Sequence, residues 1–190
     1  MRLPRLSVDR RRHRLRGARQ RPSPNHDARP HPRDLSLIVV HGISLPPGRF
    51  GGGHIDRLFA NTLDPDAHPY FAAIRDLRVS THLCVFRDGS VTQYVPFHRR
   101  AWHAGASLFA GRARCNDFSI GIELEGADTV AYEDAQYRTL GRCARALLSA
   151  YPTLARDRIV GHSDIAPGRK TDPGPAFDWL RLHIELEHPR

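Results

Sequence analysis

The sequence predicts an α/β chain of the α+β kind: a single domain with a central mixed β-sheet flanked by helices. Three observations carry that prediction. Short apolar runs rich in β-branched residues, LSLIVVH (35–41) and RIVGH (158–162), read as strands buried on both faces. Residues 132–151 have helical periodicity and stop at Pro152. THLCVFRDGSVTQYVP (81–96) holds two strands about Asp88-Gly89, a dipeptide that favours the type I′ hairpin turn, so at least one strand pair is antiparallel. A chain of 190 residues is long enough to bury a real core.

Each element follows in order. The first 21 residues carry nine arginines against one acid, Asp9, a net +8 that leaves only +1 of the total +9 for the remaining 169 residues. The near-neutral body excludes a basic nucleic-acid-binding domain. Residues 1–20 are expected to be a disordered arginine-rich extension, and residues 21–190 the folded domain. RPSPNHDARPHPRD (21–34), with four prolines, is an extended lead-in. The strand ending at His41 is followed by a glycine and proline loop, and Ile55, Leu58, Phe59 and Thr62 then fall at the spacing of a short helix. DFSIGIELEG (117–126) alternates, with Phe118, Ile120, Ile122 and Leu124 on one face and Ser119, Gly121, Glu123 and Glu125 on the other. Tyr137, Leu140, Ala144, Leu147, Leu148 and Tyr151 form the stripe of the long helix, and FDWLRLHIEL (177–186) is a last helix. No apolar run reaches the roughly 18 residues of a membrane span. The three cysteines are odd in number and lack metal-ligand spacing, and with no export signal the expected setting is a reduced cytoplasm.

The chemistry concentrates in GHSDIAPGRKTDPG (161–174), whose glycines and prolines make it a loop that can aim side chains. His41 and His162 end apolar strands, and Asp172 lies ten residues past His162. Two imidazoles and a carboxylate are the ligand set of a hydrolytic zinc with one open position, although the spacing matches no standard short motif. Glu123 projects beside small residues, where a carboxylate can take the proton of an attacking water; Glu125 is equally placed by alternation. Lys170 could set a positive charge beside an oxyanion. His82 is either a fourth ligand or a satisfied core histidine.

The segments VVHGISLPPGRFGGG, LRVSTHLCVFRDGSVTQYVPF, RAWHAGAS, GRARCNDFSIGIELEG and GHSDIAPGRKTDPGPAFDW together resemble the zinc N-acetylmuramoyl-L-alanine amidases, in particular the cytoplasmic ones acting on 1,6-anhydro-muropeptides. The likeness runs over roughly residues 21–182 and leaves out the arginine-rich start. It implies a peptidoglycan-recognition-like fold, Zn2+ on His41, His162 and Asp172, catalysis by Glu123 and Lys170, and 1,6-anhydro-MurNAc-peptides as substrate in peptidoglycan recycling. Trp102 and His103 are then expected to line the substrate groove, and Arg78 and Arg114 to pair with carboxylates of the stem peptide. Asp164 and Arg169 are expected to hold the loop. A cytoplasmic monomer with neither nucleic-acid nor membrane partners is expected. The rival readings are an exported or phage-type amidase acting on intact wall, and a muropeptide-binding module without catalysis. One departure from the family is Gly42, after the first ligand, where relatives commonly carry asparagine.

Overall fold

The computed structural model describes residues 6–187. In chain order the strands are β1 (Ser7–Asp9), β2 (Arg14–Arg16), β3 (Arg19–Gln20), β4 (His26–Ala28), β5 (Leu37–Ile43), β6 (Leu83–Val85), β7 (Val91–Gln93), β8 (Arg99–Ala101), β9 (Leu108–Phe109), β10 (Arg112–Ala113), β11 (Ser119–Glu125) and β12 (Ile159–Gly161). The helices are α1 (His54–Phe59), α2 (Pro69–Ala73), α3 (Asp134–Ala150), α4 (His162–Ile165) and α5 (Trp179–Glu187).

Six strands form the central sheet in the order β12-β5-β11-β6-β7-β3. The first four are parallel, and β7 runs antiparallel to β6, so the sheet is mixed as predicted. β5 and β11 are its longest strands and lie side by side, which suits their unbroken apolar character. On one face Ile38, Val40, Ile120, Ile122 and Leu124 pack beneath α3 and α5 against Tyr137, Leu140, Leu147 and Leu182. Gln136 ties α3 to the sheet: its carbonyl oxygen accepts from the backbone of Glu133, and its amide donates to the carbonyls of Val85 and Glu125. The opposite face carries the polar row of β11, with Glu123 directly across from His41 of β5.

Three expectations are corrected. The Asp88-Gly89 hairpin is not a type I′ turn, which needs positive φ at both residues; only Gly89 has it, at +81°. Gly89 N–H donates to Phe86 O and Phe86 N–H to Ser90 O, giving a three-residue loop in which the Asp88 carboxylate accepts from Ser90 N–H. Phe118 does not share the face of Ile120, because a helical turn at Cys115–Asp117 reorients the chain before β11 begins; Phe118 packs with Leu37 and Val39 instead.

The third correction concerns the arginine-rich start. Residues 6–20 are part of the fold, and the boundary expected at residue 20 does not exist there. β1 and β2 form an antiparallel hairpin, and β3 extends the edge of the central sheet beside β7. Leu15 is fully buried in the main core, with Leu6 and Val8 packed against it. Leu15 N–H donates to Gln93 Oε1 at 2.7 Å, Phe97 N–H to His13 O at 3.0 Å, and Arg19 pairs with the buried Asp56 at 2.5 Å. Composition weighed the arginines, but three apolar side chains, Leu6 just before β1, Val8 within it and Leu15 in β2, are enough to dock the hairpin while Arg11, Arg12 and Arg16 stay in water. Residues 1–5 lie outside the described residues. Among the described residues no helix is long and apolar enough to cross a membrane. All three cysteines are buried and unpaired; burial pushes the Cys143 thiol up to about 12.

Candidate active site

The parallel strands deliver their carboxyl ends to one edge of the sheet, where ligand sites form in open α/β sheets. β5 ends by presenting His41, and β12 leads directly into α4, whose first residue is His162. The loop after α4 folds back so that Ser163 N–H donates to Asp172 O, which brings Asp172 beside both histidines. Asp164 accepts from Gly161 N–H at 2.7 Å, and Arg169 donates to the carbonyls of Ala104 and Ala106, so both hold the loop in shape.

His41 Nδ1 and His162 Nδ1 are 3.0 Å apart, and Asp172 Oδ2 lies 3.2 and 3.1 Å from them. The outer nitrogens are also engaged. His162 Nε2 faces the carbonyl of Ala104 at 3.2 Å; a carbonyl only accepts, so Nε2 carries the hydrogen and Nδ1 keeps its lone pair. His41 Nε2 faces His103 Nδ1 at 2.9 Å. Burial depresses the His41 pKa to about 4, which keeps that ring neutral near pH 7. Neutral imidazoles and a carboxylate converging within 4.8 Å are a donor set that fits zinc.

Glu123 is 8% exposed, and its Oε2 has no hydrogen-bond partner among the described residues. Burial, then the charge of Asp172, raises its pKa well above the usual glutamate value, with Lys170 pulling the other way. Glu125, which alternation places equally, is committed elsewhere: its carboxylate accepts from Gly51 N–H at 2.6 Å and Arg87 N–H at 3.3 Å, pinning the glycine-rich loop. A cavity of about 650 Å³ runs from His41, His162, Asp172, Glu123 and Lys170 to an apolar end walled by Leu58, Tyr70, Ile74, Leu77 and Trp102.

Trp102 and His103 both border this cavity, but the His103 ring is turned onto His41. Arg78 and Arg114 are not brought to its walls: Arg78 donates to the carbonyls of Arg75 and Leu77, and Arg114 pairs with Asp117 at 3.2 Å. His82 is a satisfied core residue, its Nδ1 accepting from Gly121 N–H and its Nε2 donating to Arg99 O. Sequence reasoning missed Asn116, whose side chain accepts from the backbone of His103 and Ala104, and Tyr132, whose hydroxyl donates to Pro173 O beside Asp172. Neither had a local signal, since each acts on residues distant in the chain. Tyr132 also accounts for the space at Gly42: a Cβ there would run into its hydroxyl.

The sequence model described as N-acetylmuramoyl-L-alanine amidase matches residues 31–175. The chain is 61% identical over 168 residues to the 1,6-anhydro-N-acetylmuramyl-L-alanine amidase AmpD of Escherichia coli K12, covering 88% of this chain and 91% of that protein. It is 54% identical over 167 residues to the AmpD of Haemophilus influenzae, covering 88% and 91%. A crystal structure of a selenomethionine AmpD derivative superposes with a TM-score of 0.90 at 57% identity, covering 94% of this chain and 98% of the other. The E. coli amidase AmiD, solved with the substrate anhydro-N-acetylmuramic acid-L-Ala-D-gamma-Glu-L-Lys, superposes with a TM-score of 0.59 at 32% identity over 82% of this chain and 58% of that one. With sequence, fold and the His-His-Asp cluster in agreement, the chain belongs to the N-acetylmuramoyl-L-alanine amidase family.

Proposed function

We propose that the protein hydrolyses the amide between the lactyl group of 1,6-anhydro-N-acetylmuramic acid and the L-alanine of the stem peptide, on muropeptides met in the cytoplasm during peptidoglycan recycling. The observation that carries this is the convergence of two buried imidazole nitrogens and one carboxylate oxygen beside a buried glutamate whose Oε2 is unpartnered among the described residues. His41, His162 and Asp172 would hold zinc, which when bound supplies Lewis acidity that favours water deprotonation and polarises the amide carbonyl. Glu123 takes a proton from the attacking water and returns it to the leaving nitrogen. The C–N bond breaks, leaving a free lactyl carboxylate and a peptide with a free L-alanine amine. Lys170 sets positive charge where the carbonyl oxygen becomes negative. Trp102 offers a ring to the sugar or peptide.

The test is incubation with anhydro-MurNAc-tripeptide, read by mass spectrometry of both products, before and after chelation. Turnover should vanish on chelation and return with zinc. Full turnover in metal-free protein would overturn the metal assignment. Cleavage of intact wall but not of the soluble muropeptide would favour the exported or phage-type reading.

A further inference from the structure

The chain segment His103–Ala104 touches both histidine ligands from behind. His103 offers its side chain to His41, Nδ1 to Nε2 at 2.9 Å, while Ala104 offers its carbonyl to His162 Nε2 at 3.2 Å. The segment is itself held by one side chain, because Asn116 Oδ1 accepts from His103 N–H at 3.1 Å and from Ala104 N–H at 2.8 Å. Two more features seat the His103 ring. Its Nε2 lies 3.1 Å from Ser119 Oγ, and Gly121 leaves the space it fills, since a Cβ there would come within 2.6 Å of the ring. Arg169 closes the other end by donating to the same Ala104 carbonyl at 2.7 Å.

These contacts admit a hydrogen-bond order that leaves the Nδ1 atoms of both ligand histidines free. Ser119 Oγ can accept from His103 Nε2–H; in that arrangement His103 Nδ1 is an acceptor, and His41 carries its hydrogen on Nε2 and keeps a lone pair on Nδ1. The Ala104 carbonyl imposes the same tautomer on His162. Both lone pairs are thereby set toward Asp172 before any cation arrives.

We propose that His103 and Asn116 are positioning residues: together they fix the tautomer and orientation of both ligand imidazoles through the 103–104 segment. His103, expected from sequence to meet substrate, acts instead on His41. The proposal rests on the zinc reading for its consequence, but its core is testable in the metal-free protein.

The experiment has two readouts. In metal-free protein labelled with 15N at histidine, two-bond couplings should report Nε2–H tautomers for His41 and His162. In His103→Leu the His41 signal should move to a mixture while His162 holds; in Asn116→Ala both should change. Zinc affinity, by competition with a chromophoric chelator, should fall about 10–100-fold in His103→Leu, the usual effect of removing an outer partner of a metal ligand. His103→Asn should recover most of that loss, because its Oδ1 falls near the position of Nδ1 and can accept from His41. Circular dichroism and thermal melts control for folding; if the leucine variant does not fold, the wild-type tautomer spectrum and the asparagine variant decide. A wild-type His41 protonated on Nδ1, or a folded His103→Leu with affinity within about twofold of wild type, would overturn the proposal. Wild type that binds no zinc yet shows both Nε2–H tautomers would instead defeat the metal reading and leave the positioning role standing.

Discussion

Glu123 and Glu125 lie two residues apart on one strand face, yet their surroundings give them opposite work. Glu125 spends its carboxylate on backbone N–H groups of Gly51 and Arg87, whereas Glu123 keeps an oxygen unpartnered toward the cavity. Glu123→Gln should therefore keep metal and fold while losing about 100-fold to 10,000-fold in kcat. Glu125→Gln should lower Tm, at a cost of about 1–3 kcal/mol for the disturbed buried acceptor, and keep kcat near wild type. Reversed effects in parallel melts and turnover assays would mean the roles are exchanged. Burial also makes Glu123 pH-sensitive. Ionising it costs more in the fold than in the unfolded chain, so the folded state holds its proton more tightly and the stability it contributes falls as pH rises above the unfolded value of about 4.3. In metal-free protein the Tm of Glu123→Gln, which cannot ionise, should gain on wild type between about pH 5 and about pH 7. A Tm difference that is flat across that range would contradict the buried, reluctantly charged carboxylate.

At the scale of elements, Tyr132 joins β5 to the loop that carries Asp172. The chain before α3 places its ring against Gly126 and its hydroxyl beside Gly42, from where it donates to Pro173 O at 2.9 Å. The space beside Gly42 is thus filled from across the fold. Tyr132→Phe should cost about 1 kcal/mol, the worth of one buried hydrogen bond. Gly42→Asn should cost about 1–3 kcal/mol, because its Cβ must displace that hydroxyl. The two should not add: with the hydroxyl gone the asparagine has room, so the double variant should be more stable than the sum of the singles. Strict additivity in urea melts would show that Gly42 and Tyr132 do not share the space.

For the whole molecule, the arginine-rich start belongs to the fold. Removing residues 1–20 would strip β3 from the sheet edge, take Leu15 out of the core, and leave Asp56 with Arg21 at 3.5 Å and the Tyr94 hydroxyl as partners. Loss of one buried leucine alone is worth about 2–5 kcal/mol. For a chain of this size that corresponds to a Tm lower by roughly 5–15 °C. A melt unchanged by the deletion would return the segment to the status of a disordered extension.

The sequence by itself determined the order and type of the main elements, because β-branched runs and a 3.6-residue stripe are local patterns that short-range sterics enforce. It also marked His41, His162 and Asp172, through residue type and their place at strand ends and in a proline-stiffened loop, and through likeness to the family. Contacts between distant residues decided the rest. Alternation put Glu123 and Glu125 on one face, but only the packing of the glycine-rich loop engaged one and left the other open. Composition made residues 6–20 look disordered, since charge dominates their average, while docking depended on three apolar side chains meeting a core built by residues far along the chain. His103 was expected to line the substrate groove beside Trp102; the missing side chain of Gly121 and the anchoring by Asn116 turned its ring onto His41. Such features depend on which residues become neighbours in space, and that is a property of the assembled fold rather than of any one segment.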